Sequence, residues 1–356
     1  MENTKVSFLG QHLYVGIDVH KNRWIVTIIS LGIHLKTISM DPDPKELIKY
    51  LTKNYPGATY HTVYEAGFCG YWIDRVLRKA GINNIVVNPA DVPSTHKEKR
   101  RKTDKIDSRK LAKELSVNHL EGIYVPSEES EAIRSLSRLR VQLTKDQTRM
   151  KNRIMSLLYF SGVKFPGNNE IKHWSANFIK YLSELEFNNR EKKTTLNFLL
   201  ESLKQIREQI VKVLGELRKL LRENKKINKI IGHLLTVPGI GFITAVTLFT
   251  EIIDISRFRK FDKLVAYIGL APDTDSSGED YNVVGITQRQ QGYLRSLLIE
   301  AAWMAVRKDP AMTACFADLS HRMGKQRAII RIAKKLIGRI MYVWTNQKDY
   351  VFSVVS

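Results

Sequence analysis

Cysteine is nearly absent: Cys69 and Cys315 are the only two in 356 residues, and neither belongs to a CxxC pair. That excludes a disulfide-stapled secreted scaffold and a structural zinc site built from paired thiolates. No long apolar run goes uninterrupted. The longest, LLTVPGIGFITAVTLF, carries Pro238, Gly239 and Gly241 in its middle and does not read as a membrane span. The opening MENTKVSFLG lacks the basic-then-apolar order of a secretory signal, and no lipid anchor or long capped surface helix offers another route to a membrane. A GxGxxG turn after the first apolar strand is also missing, which counts against a dinucleotide-binding sheet. Together these absences predict a cytoplasmic protein with reduced thiols and no membrane partner.

Acidic residues are the other deficit. There are 36 Asp and Glu against 57 Lys and Arg, a net charge of +21. The excess is concentrated in runs, which points to a polyanionic partner, with nucleic acid the natural one. The chain is long for one core, so two or three domains are expected.

From residue 13 the pattern gives three β-rich runs, LYVGI, WIVTIIS and LKTIS, then a helix PKELIKYLTKNY with Pro44 in its first turn. A strand TYHTVYE, a helix GYWIDRVLRKAG, a strand NNIVVN and a helix DSRKLAKELSV follow. The order β-β-β-α-β-α-β-α is the ribonuclease-H-like plan, a mixed sheet with helices on its faces. After the turn-rich EGIYVPSEES the chain is helical from Glu128 to Lys229, broken at SGVKFPGNN. Ile133, Leu136, Leu139 and Leu143 recur at helical spacing, as do Leu199, Leu203, Ile206, Ile210 and Leu214; such coiled-coil-like helices could pair within a chain or between chains. A mainly α C-terminal part starts near Ile230. There VPGIG sits between two helical stretches like a helix-hairpin-helix turn, which can present N–H groups to a phosphate, although Gly239 and Gly241 equally suit plain helix capping. The expected domains are 1–126, 127–229 and 230–356.

Four carboxylates carry the chemistry. Asp18 and Glu65 end the first and fourth strands, where a sheet points side chains out of its carboxyl edge. Asp104 and Asp107 are three apart, so a helix starting by Thr103 would put both on one face. Either could instead be an N-cap, but four clustered carboxylates repel one another unless a hard divalent cation such as Mg²⁺, or Mn²⁺ in its place, neutralises them. Lys97, Lys99, Arg100, Arg101, Lys102, Lys105, Arg109 and Lys110 surround the pair; beside a metal site such a run suits phosphate tracking. Farther on, Ser277-Gly278 lies on a polar loop between two apolar helices, a setting that suits a nucleophile and also an ordinary turn. Arg295 begins the next helix. Arg327, Arg331, Lys335 and Arg339 fall four apart, opposite an apolar face of Ile329, Ile332, Ala333, Leu336 and Ile340, so this helix looks built to lie along a backbone.

GIDVHK, YEAG followed by YW, KTDKIDSRKLA, VPGIG, and GLAP with SG, IT and LR downstream together resemble the DEDD transposases of insertion elements. That family includes Piv-type DNA invertases and bridge-RNA-guided recombinases. The resemblance implies a RuvC-like N-terminal domain whose tetrad is Asp18, Glu65, Asp104 and Asp107, and a catalytic serine at Ser277. It further implies Mg²⁺-dependent strand exchange on double-stranded DNA at element ends and target, a structured guide RNA in some members, and a homo-oligomer, dimer or tetramer. This chain reads ITQRQQGYLR where the family pattern is roughly ITK-x-GN before the leucine-arginine pair, so Gln288, Gln290 and Gln291 replace Lys, Gly and Asn, with Arg289 able to take over a phosphate contact. Two other functions remain open to the residues themselves: a RuvC-like junction nuclease using metal-bound water, and a non-catalytic nucleic-acid-binding protein whose carboxylates are caps.

Overall fold

The computed structural model describes residues 8–93, 103–277, 280–286 and 292–352, with backbone alone between 273 and 286. The chain divides into two compact units, Met1–Val125 and Pro126–Ser356.

The first unit is built on a mixed five-stranded sheet in the order β3-β2-β1-β4-β5. Its strands are β1 (His12–Val19), β2 (Trp24–Ser30), β3 (Ile33–Met40), β4 (Thr59–Glu65) and β5 (Asn83–Val87). The first three form an antiparallel meander; β4 and β5 then add parallel to β1 through helical crossovers. Every residue of β2 is buried, because helices cover both faces of the sheet there.

Alternation sorts the strand residues between those faces. Leu13, Val15 and Ile17 of β1 join Tyr64 and Val86 in a core closed by Leu47 and Leu51 of α1 (Pro44–Asn54) and Ile73 and Leu77 of α2 (Trp72–Lys79). On the other face lies α3 (Asp104–Ser116), with Leu111 packed against Val63 and Val87. The start of α1 follows from local chemistry: Asp43 accepts a hydrogen bond from the Lys45 amide and Pro44 takes the first helical position. The α3 approach depends on Gly16, where a Cβ would stand 2.1 Å from the Ser108 carbonyl oxygen and 2.5 Å from the Ala112 nitrogen. A hydroxyl chain then fixes the helix on the sheet, with Thr27 Oγ1 2.9 Å from Ser108 Oγ and 2.9 Å from Thr37 Oγ1.

In the second unit, α4 (Glu128–Phe160) and α6 (Arg190–Glu223) form a long antiparallel hairpin. The beginning of α4 (Ile133, Leu143) shares a core with the end of α6 (Val213, Leu217, Leu221), while Ile154 and Leu158 meet Leu196 and Leu203 under the short α5 (Ala176–Glu184). These amphipathic helices therefore pair with each other within one chain. Next come α7 (Lys225–Leu235) and α8 (Phe242–Ile252), then α9 (Phe261–Ile268), α10 (Gly292–Lys308), α11 (Pro310–Met323) and α12 (Lys325–Asn346), whose apolar faces share that same core. Between α9 and α10 the sequence suggested a polar loop. The chain instead forms a two-stranded antiparallel hairpin, β6 (Pro272–Ser277) and β7 (Asp280–Ile286). The cause lies in β7, where Tyr281, Val283 and Val284 favour extended backbone, while the polar DTDSS of β6 carries little strand signal of its own.

Candidate metal centre

The last paired residues of β1 and β4 are Ile17 and Tyr64, both buried among the α1 and α2 side chains. One step farther along these parallel strands come Asp18 and Glu65. They alternate to the opposite face, the one occupied by α3, and stand at the carboxyl ends of neighbouring strands. Helix α3 begins at Asp104, with Thr103 as N-cap accepting from the Ile106 amide. The capping alternative for Asp104 and Asp107 is thus filled by Thr103, and both carboxylates lie in the first turn, where the positive helix end favours them.

Asp18 and Asp104 are brought together around His20, a residue that the sequence reading passed over. His20 Nε2 is 3.1 Å from Asp18 Oδ2 and 3.5 Å from Asp104 Oδ1. Each of the three residues offers a ligand atom within 4.8 Å of one from each of the others. Arg23 donates to the other Asp104 oxygen, Oδ2, at 3.4 Å. Burial pushes the Asp18 carboxyl above its ordinary value; His20 opposes this, while the charges of Asp104 and Asp107 add to it. Asp107 is therefore electrostatically part of the group, and Glu65 is aligned with it by strand register. A set of half-buried, mutually repelling oxygen donors is the kind of environment that a hard divalent cation relieves, so these residues fit one. A signal for His20 was present in GIDVHK: two residues beyond Asp18 on an extended chain returns to the same side.

The cationic residues divide. Lys105 and Arg109 are exposed on α3. Lys97, Lys99, Arg100, Arg101, Lys102 and Arg289 lie outside the described residues. Arg327, Arg331 and Lys335 form an exposed row on α12. Arg339, the fourth member of the expected stripe, is instead drawn inward to Asp309, donating from Nη1 at 2.6 Å. Asp309 is itself 1% exposed and also accepts from the Tyr350 hydroxyl, so Arg339 serves as a structural cation. Arg295 is half-buried and reaches the Gly269 carbonyl at 3.3 Å.

The two glycines of VPGIG also differ. Gly239 has a positive φ of 86°, and a Cβ there would meet the Ala301 carbonyl oxygen at 2.2 Å, which accounts for it by close packing on α10. Gly241 is exposed and begins α8 without a side-chain cap. Ser277 ends β6, paired in register with Asp280 across the hairpin; its side chain and Gly278 lie outside the described residues. No described helix is long and apolar enough to cross a membrane.

Residues 15–161 match the family model described as "Transposase" for the DEDD enzymes of the IS110 type, and residues 232–317 match "Transposase IS116/IS110/IS902 family". Among curated relatives, the transposase for insertion sequence element IS1533 of Leptospira borgpetersenii is 28% identical over 351 residues, covering 95% of this chain and 97% of that one. The transposase for insertion sequence element IS1111A of Coxiella burnetii is 26% identical over 288 residues, covering 80% of this chain and 77% of that one.

Proposed function

Because the chain belongs to the IS110/IS116 family of insertion-sequence transposases, enzymes that cleave and transfer DNA strands, we propose that Asp18, Glu65, Asp104 and Asp107 form a divalent-metal site and that Ser277 is the attacking nucleophile. The observation that carries this reading is the meeting of Asp18 and Asp104 at the carboxyl edge of the sheet, with Asp107 within electrostatic reach. The first unit then acts as a RuvC-like domain. A cation bound there, Mg²⁺ or Mn²⁺, would supply Lewis-acid polarisation of the scissile phosphate.

The residues of this chain perform the remaining tasks. The Ser277 hydroxyl attacks phosphorus; a Ser Oγ–P bond forms as one P–O ester bond to deoxyribose breaks. The serine proton passes to solvent, and the departing oxygen takes one up. One ester replaces another, so the bond energy is retained and a hydroxyl of a second strand can reverse the step and rejoin it. Attack by water would end in hydrolysis instead. Lys105, Arg109 and the α12 row Arg327, Arg331 and Lys335 hold nucleic-acid backbone, both the double-stranded DNA and a structured guide RNA recognised by shape. The Gly241 end of α8 is a further place for a phosphate.

Ser277→Ala tests the nucleophile. On the DNA ends of its own element, the variant should form no covalent protein–DNA adduct while still binding that DNA. Adduct formation by the variant would overturn the assignment. Cleavage without an adduct, still abolished by Asp18→Ala, would instead favour a hydrolytic junction nuclease.

A further inference from the structure

Resting on the divalent-metal reading above, we infer that His20 is a direct ligand of that site, so that its donor set is mixed nitrogen and oxygen instead of carboxylate alone. The argument is geometric. With metal–ligand bonds of roughly 2.0–2.1 Å, adjacent donors on an octahedral ion stand about 3 Å apart and opposite ones about 4 Å. His20 Nε2 stands at 3.1 Å from Asp18 Oδ2 and 3.5 Å from Asp104 Oδ1, both near the adjacent-corner separation. That spacing suits three corners of one coordination shell.

The surroundings favour the same assignment. Asp104 divides its oxygens: Oδ2 receives Arg23, while Oδ1 faces the imidazole. Asp18 likewise turns Oδ2 to His20. The ring follows the last residue of β1 directly, so its backbone is anchored by the same strand that carries Asp18. A neutral imidazole with its proton on Nδ1 would direct the Nε2 lone pair at the point on which both carboxylates converge.

The chemical consequence is selectivity. Mg²⁺ strongly prefers oxygen donors, whereas Mn²⁺ accepts imidazole more readily, so His20 tilts the site toward Mn²⁺ relative to an all-carboxylate one. Removing the ring should weaken Mn²⁺ binding by about tenfold or more, since even outer partners of metal ligands are worth roughly 10–100-fold. Mg²⁺ binding should change less.

Mn²⁺ added to the full-length protein provides the test, read by electron spin-echo envelope modulation, which detects a nitrogen bonded to the ion, and by Mg²⁺ competition. The wild type should show imidazole nitrogen modulation, and His20→Ala should lose it with a lowered preference for Mn²⁺. His20→Gln, which keeps a polar side chain but presents an amide oxygen, should lose the modulation as well, and it serves if the alanine variant folds poorly. Mn²⁺ bound in a manner that Asp18→Asn abolishes, but without nitrogen modulation in the wild type, would overturn the histidine assignment and leave the carboxylate site standing. Absence of any Mn²⁺ binding sensitive to Asp18→Asn would overturn both.

Discussion

At the residue scale, Gly16 and Asp18 show the site and the fold pulling on the same strand. The atoms that a Gly16 Cβ would strike are backbone of α3, so a methyl group there can be relieved only by moving the helix. Gly16→Ala should destabilise the protein by about 1–3 kcal/mol, the usual range for overpacking. It should also lower DNA cleavage, because Asp104 and Asp107 travel with α3; unfolding midpoints and cleavage rates measure the two effects. Asp18 presents the opposite balance. Burial and neighbouring carboxylates raise its pKa, so in chelator its ionised form opposes folding. Asp18→Asn should accordingly raise the unfolding midpoint in chelator while abolishing cleavage, a separation of stability from activity expected of a functional carboxylate. A variant that loses both would mark Asp18 as structural. Asp18, Asp104 and Asp107 could be singled out because the order of elements brings a strand end and a helix start to one edge of the sheet, whereas a carboxylate at a helix start taken alone is ordinary capping chemistry. His20 was not, since one histidine near a strand end has many ordinary explanations until its distances are known.

At the element scale, the contact of α4 with α8 is fastened by buried charge. Arg138 donates to both Glu251 oxygens, at 2.7 and 2.8 Å, and Arg134 donates to the Thr250 carbonyl at 2.9 Å. Glu251 is 5% exposed. Glu251→Ala leaves the nearby buried Arg134 without its carboxylate and should cost about 3 kcal/mol, the lower end of the range for breaking a buried pair because Arg138 is half-exposed. Equilibrium denaturation measures it, and a change below about 1 kcal/mol, the scale of a surface pair, would show that packing alone holds the two helices. Helix and strand identities were legible throughout the first unit and along α4, α6 and α12 because each buries one face at its own period. The β6–β7 hairpin escaped because its polar first strand resembles a loop and its pairing depends on β7. The inward turn of Arg339 also escaped: a helical period places it beside Lys335, but only Asp309, thirty residues back, explains its direction.

At the scale of the whole molecule, the proposed metal carboxylates and the proposed nucleophile belong to different compact units. If two chains complete one another's sites, a mixture of Asp18→Asn and Ser277→Ala proteins should recover measurable strand exchange that neither variant performs alone. The expected result is recovery to roughly a quarter of wild-type activity, the statistical share of competent sites when two half-active chains mix at random in a dimer. No recovery would place both halves of each site in one chain. The large positive charge bears on this scale too, since it sets the salt sensitivity of nucleic-acid binding and not the fold.

The sequence by itself determined the order of strands and helices outside the β6–β7 hairpin, the basic character and the positions of the proposed tetrad and serine, because periodicity, charge and short spacings are local properties. Only the tertiary structure decided that β1 and β4 lie side by side, that α3 presses on Gly16, and that His20 joins Asp18 and Asp104. Those outcomes depend on which distant surfaces pack together. A glycine can be read in a sequence, but the helix that needs its missing side chain appears only when the chain has folded.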